Sequence, residues 1–437
     1  MPCFAHILVV ATTLSAAAVA NPVVKGQPDA GGFTLQAENV RRQVQSGPMS
    51  VYMTHLRYDA DVPPALAAAV KGGGSKLGRR QGKQQGTAPS ADSRHDTEWL
   101  TPIQIGTPPQ TVRVQLDTGS SDLWAFSTGL EAGGHAIYDP SKSSTATKLP
   151  DITWAQRYVG GDWGSGDTAY RDVVKVADGV VVKNQAVLPA TNASDGFLDS
   201  PYDGIMGLSL LDFGSTSPLD APRPKNFFQT VLLSLREPFF AADLKAGKSG
   251  FYDFGVVPPN RHKGKVVYVP VNPYPIRNGA FSDWNITLAG YAIGKSASFT
   301  KRRFDTLVDT GTSLMYVDKK LVEDYYAQVK GSHYDAPAGG YVFPCDAALP
   351  DLSLGVNGAG LFGGINKILT VPGSYINFAP RDETKKECFG AVQKSLEFAG
   401  EPMSILGAAA IKAAYVIFED ARPAQDTPRI GFAVKDL

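Results

Sequence analysis

The sequence predicts an all-β fold in which two related lobes face each other across a cleft, with only a few short helices. Short β-branched or aromatic runs broken by turns recur from Trp99 onward, as is typical of strands. One sequence motif occurs once in each half of that region, which indicates a duplicated unit. A length of 437 residues also suits about two domains.

Local patterns predict the individual elements. Strands are expected at residues 111–116, 180–183, 265–269, 415–418 and 429–433. A helix is expected at 226–235, where apolar side chains recur at helical spacing. A second is expected at 318–330, which begins with a capping Asp318 and is followed by Gly331.

The repeated motif is a pentapeptide. It reads Asp117-Thr118-Gly119-Ser120-Ser121 in the first half and Asp309-Thr310-Gly311-Thr312-Ser313 in the second. An apolar strand precedes each copy, and an apolar-apolar-glycine triplet follows much later, ending at Gly207 and at Gly407. We interpret the body as two homologous β lobes, residues 87–262 and 263–437.

Each motif carries the parts of an acid–base site. The glycine permits a tight turn that exposes a carboxylate at the end of a buried strand, and the hydroxyls can fix that carboxylate. Two facing turns bring Asp117 and Asp309 so close that they share one proton, which supplies a base and an acid. The ionised carboxylate takes a proton from water, and this water attacks an amide carbonyl that the protonated carboxyl polarises. Peptide-bond hydrolysis is therefore expected; two aspartates that only cap turns are the alternative.

The charge is unevenly distributed along the chain. There are 42 Lys and Arg residues and 42 Asp and Glu residues, and this balance gives no indication of binding to nucleic acid or to an anionic membrane. Residues 1–80 carry a net charge of +4 and the remainder a net charge of −4. A basic front and an acidic body indicate a leader that binds the rest of the chain or is removed from it.

The beginning of the chain has the pattern of a secretion signal. Residues 4–20 are apolar and end in Ala18-Val19-Ala20, the form of a signal-peptide cleavage site. We expect a signal peptide at 1–20 and secretion, with a membrane span as the alternative. Residues 21–86 are expected to be a propeptide that is cut after Arg80 and trimmed nearby; a flexible linker is the alternative.

Secretion implies an oxidising compartment. Cys3 leaves with the signal peptide, and Cys345 and Cys388 then form the only possible intramolecular pair. Asn192-Ala193-Ser194 and Asn285-Ile286-Thr287 have the form of N-glycosylation acceptors.

Other function classes fit the sequence less well. It contains no Gly-x-Ser-x-Gly motif, and its six histidines form no His-Glu-x-x-His motif or close cluster. We therefore expect no metal ion and no cofactor. Because both aspartate motifs lie in one chain, a homodimer is unnecessary and a monomer is expected.

Taken together, these residues resemble the pepsin-like aspartic proteases (family A1), most of all the secreted fungal aspergillopepsin and penicillopepsin group. The resemblance covers nearly the whole chain, including Gly32-Phe33-Thr34, Tyr341-Val342-Phe343 and Val371-Pro372-Gly373-Ser374. It implies a secreted aspartic endopeptidase, made as a zymogen, active in acid and inhibited by pepstatin-type transition-state analogues. The alternative is a non-catalytic binding or inhibitor protein of the same fold.

The resemblance also implies roles for single residues. Asp117 and Asp309 would be the catalytic pair. Thr118 and Thr310 would make crossed hydrogen bonds beneath the pair, and Ser120 and Thr312 would make the outer bonds. Gly119 and Gly311 would form the turns. Trp124 would hold Tyr158, the tyrosine of a hairpin flap over the cleft that includes Gly160 and Asp162. Cys345–Cys388 matches the single disulfide of the fungal enzymes.

Two positions depart from the family pattern. The flap usually reads Tyr-Gly-Asp-Gly or Tyr-Gly-Thr-Gly, but here Val159 replaces a glycine and the acidic residue is displaced to Asp162. A preference for a basic residue at P1 is therefore not implied. Ala408 replaces the usual aspartate after Ile405-Leu406-Gly407, and we expect this to change packing or pH response rather than to abolish activity.

The basic leader suggests a mechanism of regulation. Near neutral pH the acidic body attracts it, and a leader lysine would sit between the two aspartates, with Lys71 as the first candidate and Lys76 as the second. Acid protonates the carboxylates and weakens this attraction. A leader that acts only in folding is the alternative.

Overall fold

The computed structural model describes residues 31–40, 47–58, 60–73, 96, 98–157, 163–177, 180–198, 200–210, 215–218, 223–272, 283–295, 298–357, 364–381, 384, 386–398, 400–421 and 427–437. For residues 40, 53, 56, 57, 71–73, 157 and 398 it describes the backbone only. The expected signal peptide at 1–20, Lys76 and the cleavage site at Arg80 lie outside these residues.

The described chain is mostly strand with a few short helices, as the sequence predicts. The leader forms β1 (Phe33–Val40), α1 (Gly47–Arg57) and α2 (Pro64–Gly73). The first half forms β2 (Glu98–Ile105), β3 (Gln110–Asp117), β4 (Leu123–Phe126), β5 (Thr147–Leu149), β6 (Thr153–Arg157), β7 (Trp163–Gly166), β8 (Ala169–Ala177), β9 (Val180–Ala190), β10 (Asn192–Ala193), α3 (Asp195–Leu198), β11 (Gly204–Gly207), β12 (Thr216–Ser217), α4 (Phe227–Val231), β13 (Phe239–Lys245) and β14 (Lys248–Phe254).

The second half repeats this character. It forms β15 (Lys263–Pro270), β16 (Asn285–Ile293), β17 (Thr300–Val308), β18 (Met315–Val317), α5 (Lys319–Tyr326), β19 (His333–Asp335), β20 (Gly340–Pro344), β21 (Leu352–Asn357), β22 (Ile365–Val371), α6 (Gly373–Ile376), β23 (Asn377–Pro380), β24 (Glu387–Gly390), β25 (Val392–Lys394), β26 (Leu396–Phe398), β27 (Glu401–Met403), β28 (Ile405–Leu406), α7 (Ala408–Ile411), β29 (Tyr415–Glu419) and β30 (Arg429–Val434). Single 3₁₀ turns occur at Pro140–Lys142 and Leu232–Ser234.

Five sheets organise these strands. The largest has 13 strands in the order β15-β30-β29-β13-β14-β1-β2-β3-β11-β4-β9-β8-β5, and the main sheet of the second half has seven in the order β22-β21-β16-β17-β28-β18-β25. The C-terminal strands β29 and β30 therefore belong to the sheet that begins in the first half. Their junction with β13 is apolar, since Phe240 lies opposite Phe418 and their rings stack at 4.8 Å.

The strand pairing around the two pentapeptides is the same in both halves. β3 pairs in parallel with β11, and β17 pairs in parallel with β28. The next strand is antiparallel in each case, β4 on β11 and β18 on β28. A further parallel partner follows, β9 beside β4 and β25 beside β18. The repeat seen in the sequence is thus a repeat of strand arrangement.

The expected strands all lie within observed ones, and the two expected helices are present but shorter. α4 begins at the capping box of Asn226 and Gln229 and continues as a 3₁₀ turn. α5 begins at Asp318, whose side chain accepts from the N–H groups of Lys320 and Leu321. It ends at Tyr326 because the next amides bond three residues back, Gln328 to Tyr325 at 3.1 Å and Val329 to Tyr326 at 3.0 Å.

The leader is part of the folded core. β1 lies between β14 and β2 in the large sheet, with Leu35 opposite Tyr252. Leu35 is buried, as are Val51 in α1 and Leu66 in α2. The expected propeptide therefore contributes apolar side chains to the same hydrophobic cluster as the body of the chain.

Candidate active site

The first pentapeptide holds its aspartate at the end of a buried strand. Asp117 is the last residue of β3 and is fully buried. One carboxylate oxygen accepts a hydrogen bond from the Gly119 N–H at 2.9 Å, and the other accepts from the Ser120 hydroxyl. The Asp117 carbonyl accepts from the N–H of Leu208, the residue after β11, at 2.7 Å, so the backbone is fixed as well.

The second pentapeptide has the same construction. Asp309 directly follows β17 and is fully buried, and one of its carboxylate oxygens accepts from the Gly311 N–H at 2.9 Å. Its own N–H donates to the Leu406 carbonyl of β28 at 3.0 Å. Both carboxylates therefore sit on turns whose glycine amides point back at them.

The two turns are joined beneath the carboxylates. The Thr118 hydroxyl donates to the Val308 carbonyl at 2.9 Å, and the Thr310 hydroxyl donates to the Leu116 carbonyl at 2.8 Å. Each threonine thus bonds to the strand that carries the other aspartate. These contacts are buried, so they fix the positions of the two strand ends.

The close approach of the turns explains the glycine. A Cβ atom at Gly119 would stand 2.7 Å from an Asp309 carboxylate oxygen, nearer than carbon and oxygen can approach. The first turn therefore faces the second aspartate directly. A side chain at this position would push the two motifs apart.

A tyrosine from the leader occupies the space above the second aspartate. The Tyr58 hydroxyl, just beyond α1, donates to the Asp309 carboxylate. The Thr312 hydroxyl in turn donates to the Tyr58 oxygen at 3.3 Å. The same oxygen would be 2.8 Å from a Cβ atom at Gly119, so the phenol reaches into the gap between the two turns.

Trp124 lies at the base of the two strands that lead to the expected flap. It is buried in β4, and its ring lies 6.3 Å from that of Trp154 in β6 and 5.2 Å from that of Phe197 in α3. Its indole N–H has no hydrogen-bond partner among the described residues. β6 and β7 pair as an antiparallel hairpin. The residues that join them, with Tyr158, Gly160 and Asp162, are outside the described part of the chain.

The glycines of the two later triplets also permit close packing. A Cβ atom at Gly207 would be 2.3 Å from the Ser121 backbone, and one at Gly407 would be 2.1 Å from the Leu314 carbonyl oxygen. Ala408 opens α7, is buried, and donates its N–H to the Thr312 carbonyl at 2.7 Å. The residue that departs from the family pattern therefore still supports the second turn through its backbone.

The remaining expected residues belong to elements other than the two aspartate turns. Cys345 and Cys388 form a disulfide, as predicted. Asn192 is exposed on β10, whereas Asn285 is only partly exposed on β16. Lys71 lies in α2, but its side chain is outside the described part.

Sequence reasoning missed several residues of this site. Tyr58 belongs to no motif that we used, and its position follows only from the packing of α1. Trp154 and Phe197 could have been suspected only as apolar residues on either side of the expected flap. Tyr252, whose hydroxyl donates to the Leu116 carbonyl at 3.4 Å, is brought under the first turn by the pairing of β14 with β1.

Clusters of metal-ligating side chains and membrane-spanning helices are both absent from the described residues. Among them, no three His, Cys, Asp or Glu side chains are grouped so that they could hold a metal ion. None of the helices in the described ranges is both long and apolar enough to cross a membrane.

A duplicated β fold with two facing, buried aspartates on Asp-Thr-Gly turns defines an aspartic protease of the pepsin type. Comparison with known proteins gives the same result. The profile of the family described as eukaryotic aspartyl protease matches residues 98–435. The chain therefore belongs to this family and is an aspartic endopeptidase.

Individual relatives match over nearly their full length. The chain is 39% identical to endothiapepsin of Cryphonectria parasitica, over 94% of this chain and 93% of that protein. It is 36% identical to penicillopepsin-3 of Penicillium janthinellum, over 96% of each. It is 35% identical to an aspergillopepsin-1 of Aspergillus fumigatus, over 99% of each. The resemblance to the fungal pepsins that the motifs indicated is thus confirmed.

Proposed function

We propose that the protein is a secreted endopeptidase that cleaves polypeptides in acid through water activated by Asp117 and Asp309, and that it is made as a zymogen. The proposal rests on the observation that these two buried carboxylates face each other. Each has its own glycine amide as donor, and the Thr118 and Thr310 hydroxyls join their strands. The arrangement supplies two like groups in unlike protonation states, as general acid–base hydrolysis of an amide requires.

The chemistry follows from the contacts. A water between the carboxylates loses a proton to the ionised aspartate and attacks the substrate carbonyl, while the protonated aspartate donates to the carbonyl oxygen. The donors on Asp117, from Gly119 and Ser120, hold its oxygens in place throughout. Because the turns are fixed by backbone pairing, little reorganisation is needed at the moment of reaction.

The Trp124 indole supports a role for Tyr158. A buried N–H without an acceptor costs free energy, and Trp124 has no acceptor among the described residues. The Trp154 ring of β6 lies 6.3 Å from this indole, and β6 pairs with β7 in the hairpin that leads to residue 158. We therefore assign the Trp124 N–H to the hydroxyl of Tyr158, with Gly160 and Asp162 in the same hairpin over the substrate.

Inhibition by the leader is the proposed form of regulation, with Tyr58 as its central contact. The phenol hydroxyl bonds to Asp309 and accepts from Thr312, so a water and a substrate carbonyl have no room there. This contact supports Tyr58 rather than Lys71 as the residue that blocks the pair. Packing of the leader helices through Val51 and Leu66 supports a docked leader.

The proposed location and partners rest on the disulfide, the start of the chain and the two motifs. The disulfide supports an oxidising compartment, and the apolar start of the chain supports a signal peptide. Both aspartate motifs lie in one chain, which supports a monomer. Substrates would be polypeptides, and pepstatin-type transition-state analogues would inhibit.

The test is digestion of an acid-denatured protein by the secreted chain and by an Asp117→Asn variant, with and without pepstatin. Asp346→Asn, which changes an exposed carboxylate of the second half, is the matched control. Cleavage should be lost in Asp117→Asn and with pepstatin, and kept in Asp346→Asn. Cleavage that is equal in all three proteins would refute the proposal, and none in any of them would favour the non-catalytic alternative.

A further inference from the structure

We propose that Asn192 carries an N-linked glycan whose first sugar packs on the exposed indole of Trp163, and that the second candidate, Asn285, is not modified. The inference rests on the proposed secretion, because the modification occurs in the secretory pathway. It otherwise depends only on the surroundings of the two asparagines.

Asn192 lies at the edge of a small sheet. The order of this sheet is β10-β7-β6-β12, so β10 is an outermost strand. The Asn192 side chain is exposed, and its amide nitrogen makes one long hydrogen bond, 3.4 Å to the Thr191 hydroxyl. An amide in this position has space for a bulky polar substituent.

The pairing register places Trp163 on the same face of the sheet as Asn192. Asn192 lies opposite Ser165. Side chains that lie opposite each other share a face, and so do residues two apart on one strand. Trp163 is therefore the diagonal neighbour of Asn192, at the separation of about 7–8 Å that large side chains bridge.

This face points to solvent. Ala155 of β6, which lies opposite Ser165, is exposed, whereas Trp154 on the other face is buried against Trp124. Trp163 itself is 37% exposed, unusual for so large an aromatic side chain. A sugar ring attached at Asn192 presents its apolar C–H face at the distance of this indole, which would cover the exposed aromatic surface.

Two hydrogen bonds, one to a side chain and one between backbone groups, join Trp163 and Ser194 next to the asparagine. The Trp163 N–H donates to the Ser194 hydroxyl at 3.1 Å, and the Ser194 N–H donates to the Trp163 carbonyl at 2.9 Å. The third residue of the acceptor tripeptide is therefore bonded to the residue whose indole the sugar would cover. The geometry of attachment and of packing is set by the same pair of strands.

Asn285 has different surroundings. Asn285 begins β16, where it lies opposite Leu307 of β17 and its carbonyl accepts from the Asn272 N–H at 2.8 Å, and its side chain is only partly exposed. Its amide oxygen is buried without a hydrogen-bond partner in the described part of the chain. The Thr287 hydroxyl of this tripeptide donates to Asp305 at 2.5 Å. A glycan at Asn285 would have to displace the groups that bury its amide oxygen.

The reaction is a glycosyl transfer. The donor is an oligosaccharide linked through pyrophosphate to a membrane lipid. A bond forms between the Asn192 amide nitrogen and the anomeric carbon of the donor sugar, and the bond from that carbon to the pyrophosphate breaks. The amide loses one proton and the lipid pyrophosphate leaves.

The first experiment locates the glycan. The full chain is produced in a secreting yeast, and the protein from the medium is treated with an N-glycanase that converts the glycosylated asparagine to aspartate. Peptide masses should show the conversion at Asn192 and not at Asn285. Asn192→Gln should abolish the enzyme-dependent mass shift and Asn285→Gln should leave it unchanged.

The outcomes separate this inference from the proposed function. Secreted protein without a glycan at Asn192, or with one at Asn285, overturns the inference and leaves the protease assignment intact. Protein that is retained in the cells contradicts the proposed secretion instead. Activity against denatured protein is measured in parallel, so that a loss of protease activity is distinguished from a loss of the glycan.

The second experiment tests packing on the indole. Enzymatic removal of the glycan should lower the melting temperature by about 2 °C, and this difference should disappear in Trp163→Ala. Leu233→Ala, which removes another exposed apolar side chain, is the control and should keep the difference. An equal difference in Trp163→Ala and in the unchanged chain overturns the contact between sugar and indole.

Discussion

The backbone amides of Thr118 and Thr310 each donate a hydrogen bond to the side-chain hydroxyl of the other residue, at 3.1 and 3.0 Å. Both hydroxyls also donate to carbonyls of the opposite strand, so each side chain acts as acceptor and donor across the interface. Thr118 and Thr310 are buried. Residues 192 positions apart in the chain are therefore held in a reciprocal contact directly below the two buried aspartates.

Thr118→Val should reduce both stability and activity. Valine has nearly the same shape but leaves the Thr310 N–H and the Val308 carbonyl without their partner, at a cost of about 1–3 kcal/mol for a buried polar group. We expect a lower melting temperature and a lower kcat, since the carboxylates lose their fixed separation. Thr147→Val, at an exposed strand position, is the control. A variant with unchanged kcat would show that the reciprocal contact is not needed for alignment.

Tyr58→Phe should weaken the hold of the leader on the active site. The change removes only the hydroxyl that donates to Asp309. Hydrogen bonds to charged groups contribute about 1.5–3 kcal/mol, so self-processing at neutral pH should become about tenfold faster or more. Tyr52→Phe, which changes a half-buried tyrosine of the preceding helix α1, serves as the control. If both variants are processed at the rate of the unchanged precursor, Tyr58 is not the blocking residue.

His55 of α1 should make leader docking sensitive to acid. Burial lowers the pKa of His55 below its ordinary value of 6.5, against the raising effect of Asp61, and its Nδ1 is buried without a partner in the described residues. The docked leader therefore favours neutral His55, and the contribution of His55 to docking is lost as the pH falls from 6.5 through the lowered pKa.

The corresponding measurement is the pH dependence of self-processing in the purified precursor. His55→Leu cannot take up a proton, so its processing should begin at a lower pH than that of the unchanged chain. His333→Gln, at an exposed position, should have no effect. An unshifted profile in His55→Leu would mean that carboxylates alone control release.

His135 should stabilise the first half most strongly in its protonated form. Its Nδ1 lies 3.2 Å from Asp203 and its Nε2 lies 2.9 Å from the Leu198 carbonyl, so both nitrogens face acceptors. The hydrogen bond with Asp203 raises the pKa of His135, against desolvation and the charge of Arg113. Its contribution is complete below the unfolded value of 6.5 and is lost as the pH rises through the raised pKa.

His135→Gln should therefore lower the melting temperature by about 2–4 °C at pH 5, with a smaller difference at pH 9. Glutamine can donate to only one of the two acceptors with its single amide nitrogen in this geometry. Melting curves across this pH range, with His333→Gln as control, give the measurement. A difference that does not depend on pH would contradict the assignment of a charged ring.

Much of the site could be predicted from sequence because it is encoded locally. The Asp-Thr-Gly turns, the capping Asp318 and the Cys345–Cys388 pair each follow from neighbouring residues or from simple counting. The two aspartates were assigned to one site only because the motif is repeated, since a single copy also fits an ordinary turn.

The rest depends on contacts between distant segments. Nothing local to Tyr58 indicates that its hydroxyl reaches Asp309, because that contact depends on how α1 docks. The sequence pattern also predicts β29 and β30 as strands, but it does not indicate that they join the sheet of the first half. Strand partners are set by packing over the whole chain, which periodicity along one segment does not contain.

The position of β1 in the middle of the large sheet has a consequence for how the chain folds. Leu35 pairs with Tyr252 and Glu38 with Leu100, so β1 bridges two segments that are far apart in sequence. A chain that lacks residues 1–80 has no β1 to pair with both β14 and β2. It must bring these distant segments together without that strand. If the leader is removed as proposed, the shortened chain should refold far more slowly than the full chain. Its native state would then persist because unfolding is slow, and not because folding is at a reversible equilibrium.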